Sequence, residues 1–257
     1  MSEGARALTA WTPDRRAFLL RKLHSLTGVV PVGAFLVEHL WTNATALGGQ
    51  AQFDEAVLGI QRIPMLPVVE TLFIFAPLTF HAVYGVWLSR QAKPNVAHYT
   101  YSRNWAYLLQ RITGVLTFLF ILVHLWDYRI QKWLYGMTTE SFYPELARHL
   151  SDVRYGVPWY GILYLVGVAS AVFHFANGLV GFCASWGITT TRRAQSRATV
   201  LFGIFGFVLF LLGANTVLYF ATGTRLYIPM GDTPAPSCAP DSSNRSPTPS
   251  STVSPVR

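Results

Sequence analysis

The sequence predicts an all-α integral membrane protein with five transmembrane helices, the first four forming a four-helix bundle. Three observations carry this. Of the 257 residues, 51% are hydrophobic and only 12% charged, with a mean hydropathy of +0.32, too apolar for an ordinary soluble domain. Five segments reach the roughly 20 apolar residues that a spanning helix needs. A paired internal repeat then runs through the first four of them.

A basic arm over residues 1–17 leads into a membrane domain over 18–224. Its spans cover approximately 19–44, 68–89, 105–128, 158–187 and 198–222. The last two carry no charge over Trp159–Thr191 and Ala198–Thr224. Apolar residues surround these helices on every face, so lipid is their expected solvent. Arg15, Arg16, Arg21 and Lys22 precede a run too long for the apolar region of a cleavable signal peptide. From Asp232 the chain turns Pro- and Ser-rich. Such a segment buries too little apolar surface to offset its ordering entropy, so 225–257 is expected to be a disordered tail.

Charge sets the direction. The formal net charge of +8 does not gather into one stripe, so no nucleic-acid partner is expected. The arm, the loop between spans two and three, and the loop between spans four and five hold twelve basic residues (Arg6, Arg15, Arg16, Arg21, Lys22, Arg90, Lys93, Arg103, Arg111, Arg192, Arg193 and Arg197) against Glu3 and Asp14. The opposite loops are mixed: Asp54, Glu55, Glu140, Glu145 and Asp152 offset Arg62, Arg148 and Arg154. The positive-inside rule places the N-terminus in the cytoplasm and the C-terminus outside. The two cysteines, Cys183 and Cys238, and the absence of Cys-x-x-Cys-His leave a disulfide framework, cysteine-bound zinc, an iron–sulfur cluster and covalent haem poorly supported.

The repeat marks the histidines. Thr27-Gly28-Val29 followed by His39-Leu40-Trp41 recurs as Thr113-Gly114-Val115 followed by His124-Leu125-Trp126, one residue different in spacing. Pro31 lies where a helix distortion could absorb the difference. Phe80-His81-x-x-x-Gly85 recurs as Phe173-His174-x-x-x-Gly178. Spans one and two therefore correspond to spans three and four as a parallel duplication.

A lone histidine in a helix is ordinarily a hydrogen-bonded structural residue. Four of them, one per span at repeat-related positions, are expected to be axial ligands, because ionisable groups inside a membrane are costly and neutral imidazole suits iron. At 1.5 Å per residue, His39 and His124 lie about 20 Å from the inner ends of their helices, and His81 and His174 about 20 Å from the outer ends. His39 with His124 thus makes a distal pair, and His81 with His174 a proximal one, at levels roughly 10 Å apart in a core of about 30 Å. That arrangement suits two non-covalent, bis-histidine b haems passing electrons. Gly85 and Gly178, one turn past a ligand, would admit a flat macrocycle or simply close helix packing.

Ser25 and Arg111, with His24, Arg21 and Gln110, occupy repeat-related inner ends. Of these, Ser25, Arg111, His24 and Arg21 are candidate partners of haem propionates, the alternative being interfacial snorkelling and subunit docking. Glu70 at the start of span two also suits a helix N-terminus. Asp127 could face the distal site or pair with Arg129. His98 and His149 are placed in loops, and Tyr84 and Trp87 in an interfacial belt.

The stretches Arg21-Lys22-Leu23-His24-Ser25-Leu26-Thr27-Gly28, Phe80-His81-Ala82-Val83-Tyr84-Gly85-Val86, Tyr101-Ser102-Arg103-Asn104-Trp105 and Phe173-His174-Phe175-Ala176-Asn177-Gly178-Leu179 resemble the cytochrome b membrane-anchor subunit of succinate dehydrogenase and fumarate reductase, in its five-helix, two-haem form. The resemblance runs from Phe18 to Phe220. It implies that the four histidines are axial ligands, that a flavoprotein subunit oxidises succinate, and that an iron–sulfur subunit docks on the cytoplasmic face. It also implies a multi-pass protein of a bacterial cytoplasmic membrane, in the lipid bilayer, working with a membrane quinone that in this family is usually menaquinone. The chain has neither a dinucleotide-binding glycine pattern nor a cysteine set for clusters, so its own role is anchoring, haem binding and quinone chemistry. Related fumarate reductases can carry a glutamate two positions before the proximal ligand of span four; here that position is Val172. Paired histidines alone would equally fit a cytochrome b of a hydrogenase or formate dehydrogenase, and internal repeats also occur in transporters and haem-free scaffolds.

Overall fold

The computed structural model describes residues 13–136, 138 and 141–225. Expectations for residues 1–12 of the arm and 226–257 of the tail lie outside them. Five helices long and apolar enough to cross a membrane emerge, at Pro13–Gly48, Leu66–Arg90, Ser102–Tyr135, Trp159–Ser185 and Arg192–Thr222. Several outrun the apolar segments of the sequence, because polar residues such as Asp14–Arg16 and Arg129–Lys132 continue the helices past the apolar core.

The first span is two helices, α1 (Pro13–Val29) and α2 (Pro31–Ala44), ended by a 3-10 turn at Thr45–Gly48. Pro31 has no N–H for the carbonyl one turn back, and its ring crowds that carbonyl, so the chain breaks at Val30. Proline also shapes the second span, α4 (Leu66–Arg90). A wide π turn at Thr71–Phe75 ends two residues before Pro77, and Ala76 N–H bonds to Thr71 O five residues back. The extra residue opens room for the ring. The third span, α5 (Ser102–Tyr135), has a π turn at Leu125–Ile130, directly after His124. No proline lies in α5 to require it.

The fourth span, α7 (Trp159–Ser185), and the fifth, α8 (Arg192–Thr222), form the most extensive helix pair. Thr191 starts α8 by accepting the Ala194 N–H at 3.2 Å, and Gly223, at φ 72°, closes it. The first four spans form a ring: α1 packs on α4, α4 on α5, α5 on α7, and α7 back on α1, while α8 lies outside against α7 and α2.

Two short helices that sequence patterning left as loops cover one end of the bundle: α3 (Gln50–Gln61) and α6 (Phe142–Leu150). Leu47, Phe53, Tyr143, Ala147 and Leu150 pack with Tyr219 and Phe220 of α8 into a buried cluster, and the Tyr143 and Tyr219 hydroxyls meet at 3.1 Å. This end is the lid end; the opposite, N-terminal end is the arm end. Side-chain packing is concentrated in the lid and the α7–α8 seam. The most apolar windows of α4 and α5 bury no residue, against 39% in α7 and α8.

The seam depends on glycine. A Cβ on Gly206 would lie 2.6 Å from the Ala176 Cβ, and one on Gly213 would lie 2.7 Å from Val168 Cγ1. Gly206→Val is therefore expected to overpack the seam by about 1–3 kcal/mol. Thermal unfolding of the detergent-solubilised protein, followed by circular dichroism, should show a lower midpoint; an unchanged one would contradict this packing.

Candidate functional site

A cavity of about 1030 Å³ runs along the bundle axis between the first four spans and is lined by His39, His81, His124 and His174. Among the described residues, no three or more His, Cys, Asp or Glu side chains gather as a bare-metal site. The four intramembrane histidines come in twos.

At the arm end, the rings of His81 and His174 face each other with centroids 6.1 Å apart and planes at 85°. His81 Nδ1 lies 2.9 Å from the carbonyl oxygen of His24, and His174 Nδ1 lies 2.9 Å from that of Gln110. A carbonyl only accepts, so each Nδ1 carries the proton and each Nε2 keeps its lone pair. These contacts are related by the internal repeat. His24 and Gln110 each precede the glycine of a Thr-Gly-Val by four residues. A Cβ on Gly28 would lie 2.2 Å from His81 Cε1, and one on Gly114 would lie 2.7 Å from His174 Cε1. Any side chain there would push the ring off its carbonyl. His24 stacks on His81 at 4.1 Å, and the Gln110 amide donates to the His174 carbonyl at 3.0 Å while accepting from Asn177 at 2.7 Å.

At the lid end, His39 and His124 face each other with centroids 5.6 Å apart and planes at 81°. Aromatic rings surround this pair: Phe35 beside His39, and Phe120, Tyr128 and Tyr164 beside His124. Asn43 donates to the His39 carbonyl at 2.7 Å. His124 Nδ1 is buried without a hydrogen-bond partner.

The family model of the succinate dehydrogenase/fumarate reductase transmembrane subunit matches residues 88–214, which include His124 and His174. The succinate dehydrogenase cytochrome b558 subunit of Bacillus subtilis (strain 168) is 40% identical over 205 residues, 80% of this chain and 98% of that protein. The chain belongs to the succinate dehydrogenase cytochrome b membrane subunits. This membership sets aside the hydrogenase, formate dehydrogenase and transporter readings, and a cytochrome b of this family implies haem b.

The donor set fits such a group. Two imidazoles bound to one metal from opposite sides, each nitrogen about 2 Å away, hold their ring centres about 6 Å apart, close to the 5.6 Å and 6.1 Å found. Ser25, His24 and Arg111 line the arm end of the cavity. The Arg111 guanidinium donates to Tyr107 O at 2.8 Å and lies over the Tyr107 ring, while its Nε is buried without a partner. Arg21 is exposed and outside the lining; its neighbour Lys22 donates to Ser185 O and lies over Trp186.

Several polar residues differ from sequence expectation. Arg129 pairs with Glu70 at 2.6 Å rather than with Asp127, because the π turn redirects it across to α4. Glu70 lies a turn inside its helix and links two spans. Asp127 is buried and accepts from the Tyr164 hydroxyl at 3.2 Å. His149 is on α6, not in a loop, stacked on Tyr160 with 5.5 Å between centroids. Gly85 and Gly178 line the cavity, but the tightest histidine-ring contacts belong to Gly28 and Gly114 on the facing helices. The paired Thr-Gly-Val was the signal for these contacts, and the sequence showed it only as a repeat.

Proposed function

We propose that this chain is the di-haem membrane anchor of a succinate:quinone oxidoreductase. One b haem would lie between His39 and His124 and a second between His81 and His174. The observation that carries the proposal is the repeat-related pair of Nδ1–H···O=C contacts, which leaves the Nε2 lone pairs on two rings that line one cavity, while a second imidazole pair lines the same cavity further along. Haem b held by such imidazoles would supply a reversible one-electron carrier. The chain's residues supply the rest. The backbone carbonyls of His24 and Gln110 fix the proximal imidazoles, as an outer shell fixes metal ligands elsewhere. Gly28 and Gly114 keep the approach clear, and Phe120, Tyr128 and Tyr164 shield His124.

The excess of basic residues at the arm end supports an N-terminus in the cytoplasm and a C-terminus outside. In that orientation His81 and His174 are proximal to a cytoplasmic iron–sulfur subunit and its flavoprotein partner, and His39 and His124 are distal. Ser25, His24 and Arg111 would then meet the propionates of the proximal haem, with Arg21 reaching in from the membrane surface. Electrons would pass through the anchor between the iron–sulfur subunit and a membrane quinone, menaquinone being the usual one in this family.

Pyridine haemochrome analysis should find two non-covalent b haems per chain; one, or none, would overturn the reading. His39→Ala and His124→Ala should remove the same haem, and His81→Ala and His174→Ala the other, as read from the reduced-minus-oxidised spectrum.

Gly28→Val and Gly114→Val should lower or abolish only the haem that depends on His81 and His174. Loss of the other haem instead would contradict the role given to these glycines.

Deleting Pro234–Arg257 should leave both haems and quinone reductase activity intact, and external protease should cleave the tail in spheroplasts. Cleavage confined to inverted vesicles would reverse the topology.

A further inference from the structure

We infer that Arg129 and Lys132 bind the propionates of the haem carried by His39 and His124, an assignment that rests on the di-haem reading above. Among the described residues, three cationic side chains line the cavity: Arg111 at the arm end, and Arg129 and Lys132 at the lid end. Arg129 and Lys132 follow His124 by five and eight residues. In an uninterrupted α-helix, at 100° per residue, the first would point about 140° away from His124. The π turn at Leu125–Ile130, in which Gln131 N–H bonds to Trp126 O, changes this. A π turn acts as a one-residue insertion. Arg129 and Lys132 therefore take the angular positions that residues four and seven later would normally hold, on the same face as His124. The π turn of α5, which no proline requires, thus turns both cations toward the ligand face.

The two side chains are also prepared for an anion. Glu70 grips one edge of the Arg129 guanidinium, with Nη1–Oε1 at 3.2 Å and Nη2–Oε2 at 2.6 Å. Two of the five guanidinium N–H groups are thereby committed and the fork is fixed in direction. The Phe75 ring lies 5.5 Å from the guanidinium carbon. Lys132 forms no ion pair with any described residue; its ammonium lies 4.8 Å from the centre of the Phe142 ring in the lid helix α6. Of the two acids in the cavity lining, Glu70 is committed to Arg129 and Glu38 accepts from Thr42. A carboxylate entering the lid end from a macrocycle on His124 would thus meet one aimed guanidinium and one ammonium that forms no ion pair with a described residue. Charge-assisted contacts of this kind hold and orient a carboxylate.

The test uses the purified complex carrying Arg129→Gln, Lys132→Gln, the double substitution, Arg129→Lys and Glu70→Gln. Haem stoichiometry, redox titration and the propionate bending bands in resonance Raman are the readouts. Removing a cation beside a carrier disfavours the added electron. The double variant is therefore expected to lower the midpoint potential of the haem that His124→Ala removes, and to shift that haem's propionate band. The other haem should be unmoved, and Arg129→Lys should recover part of both changes. Glu70→Gln is expected to raise the same potential. If the double variant does not assemble, the single variants carry the same signs at smaller size. Unmoved propionate bands in the single variants, with or without a change in potential, would overturn the assignment, since distant charge alone shifts a potential. A wild-type complex with fewer than two haems would instead overturn the di-haem reading.

Discussion

The contact on which the site depends is an imidazole Nδ1–H donating to a helix carbonyl whose own helix carries glycine four residues later. A helical carbonyl already accepts the N–H one turn on, and it has a second lone pair to offer. A ring from a neighbouring helix can reach that lone pair only by passing over the residue one turn ahead, where a Cβ would stand in the way. Gly28 removes the obstruction above the His24 carbonyl, and Gly114 does so above the Gln110 carbonyl. In hydrocarbon an unpartnered N–H is expensive, so this contact both satisfies the ring and decides which nitrogen stays free. The requirement for glycine is steric and local. It explains why glycine recurs at this position in the two halves of the chain.

The two halves have diverged at the other end of the cavity. His81 and His174 are held by equivalent carbonyls, whereas His39 and His124 are not held alike. His39 sits on a helix restarted at Pro31, with Asn43 bonded to its carbonyl. His124 leads into a π turn and is walled by aromatic rings. The one-residue difference between the repeats is located here: the break at Val30 lies between Gly28 and His39, so the ring of His39 still reaches the level of His124.

Much of this was legible in the sequence. The spans follow from apolar length, the helix break from Pro31, and the two pairs from depth at a fixed rise per residue. Each of these depends on residues acting along one helix. What the sequence hid depends on contacts between helices. The Arg129–Glu70 pair joins residues 59 positions apart, and its direction is set by a π turn with no proline to announce it. The lid helices α3 and α6 were hidden for another reason. They are too short to span a bilayer, and although Tyr143, Ala147 and Leu150 share one face of α6, only the ends of the long helices show what that face covers.

The fifth span, which has no counterpart in the repeat, gains a reason from the same physics. A bundle whose axis is a cavity cannot fill its centre with side chains, and α4 and α5 accordingly bury almost nothing of their apolar stretches. Ordinary close packing must come from elsewhere. α8 supplies it, pressing Gly206 and Gly213 onto Ala176 and Val168 of α7 and extending Tyr219 and Phe220 into the lid cluster. It also packs on α2, so the helices bearing His39 and His174 are both braced from outside the ring. The histidines on α4 and α5 lack that support. His81 depends on a carbonyl of α1, and the C-terminal part of α5 is tied to α4 by Arg129 and Glu70 and to α7 by Asp127 and Tyr164. The polar contacts of the site therefore do structural duty where side-chain packing is thinnest.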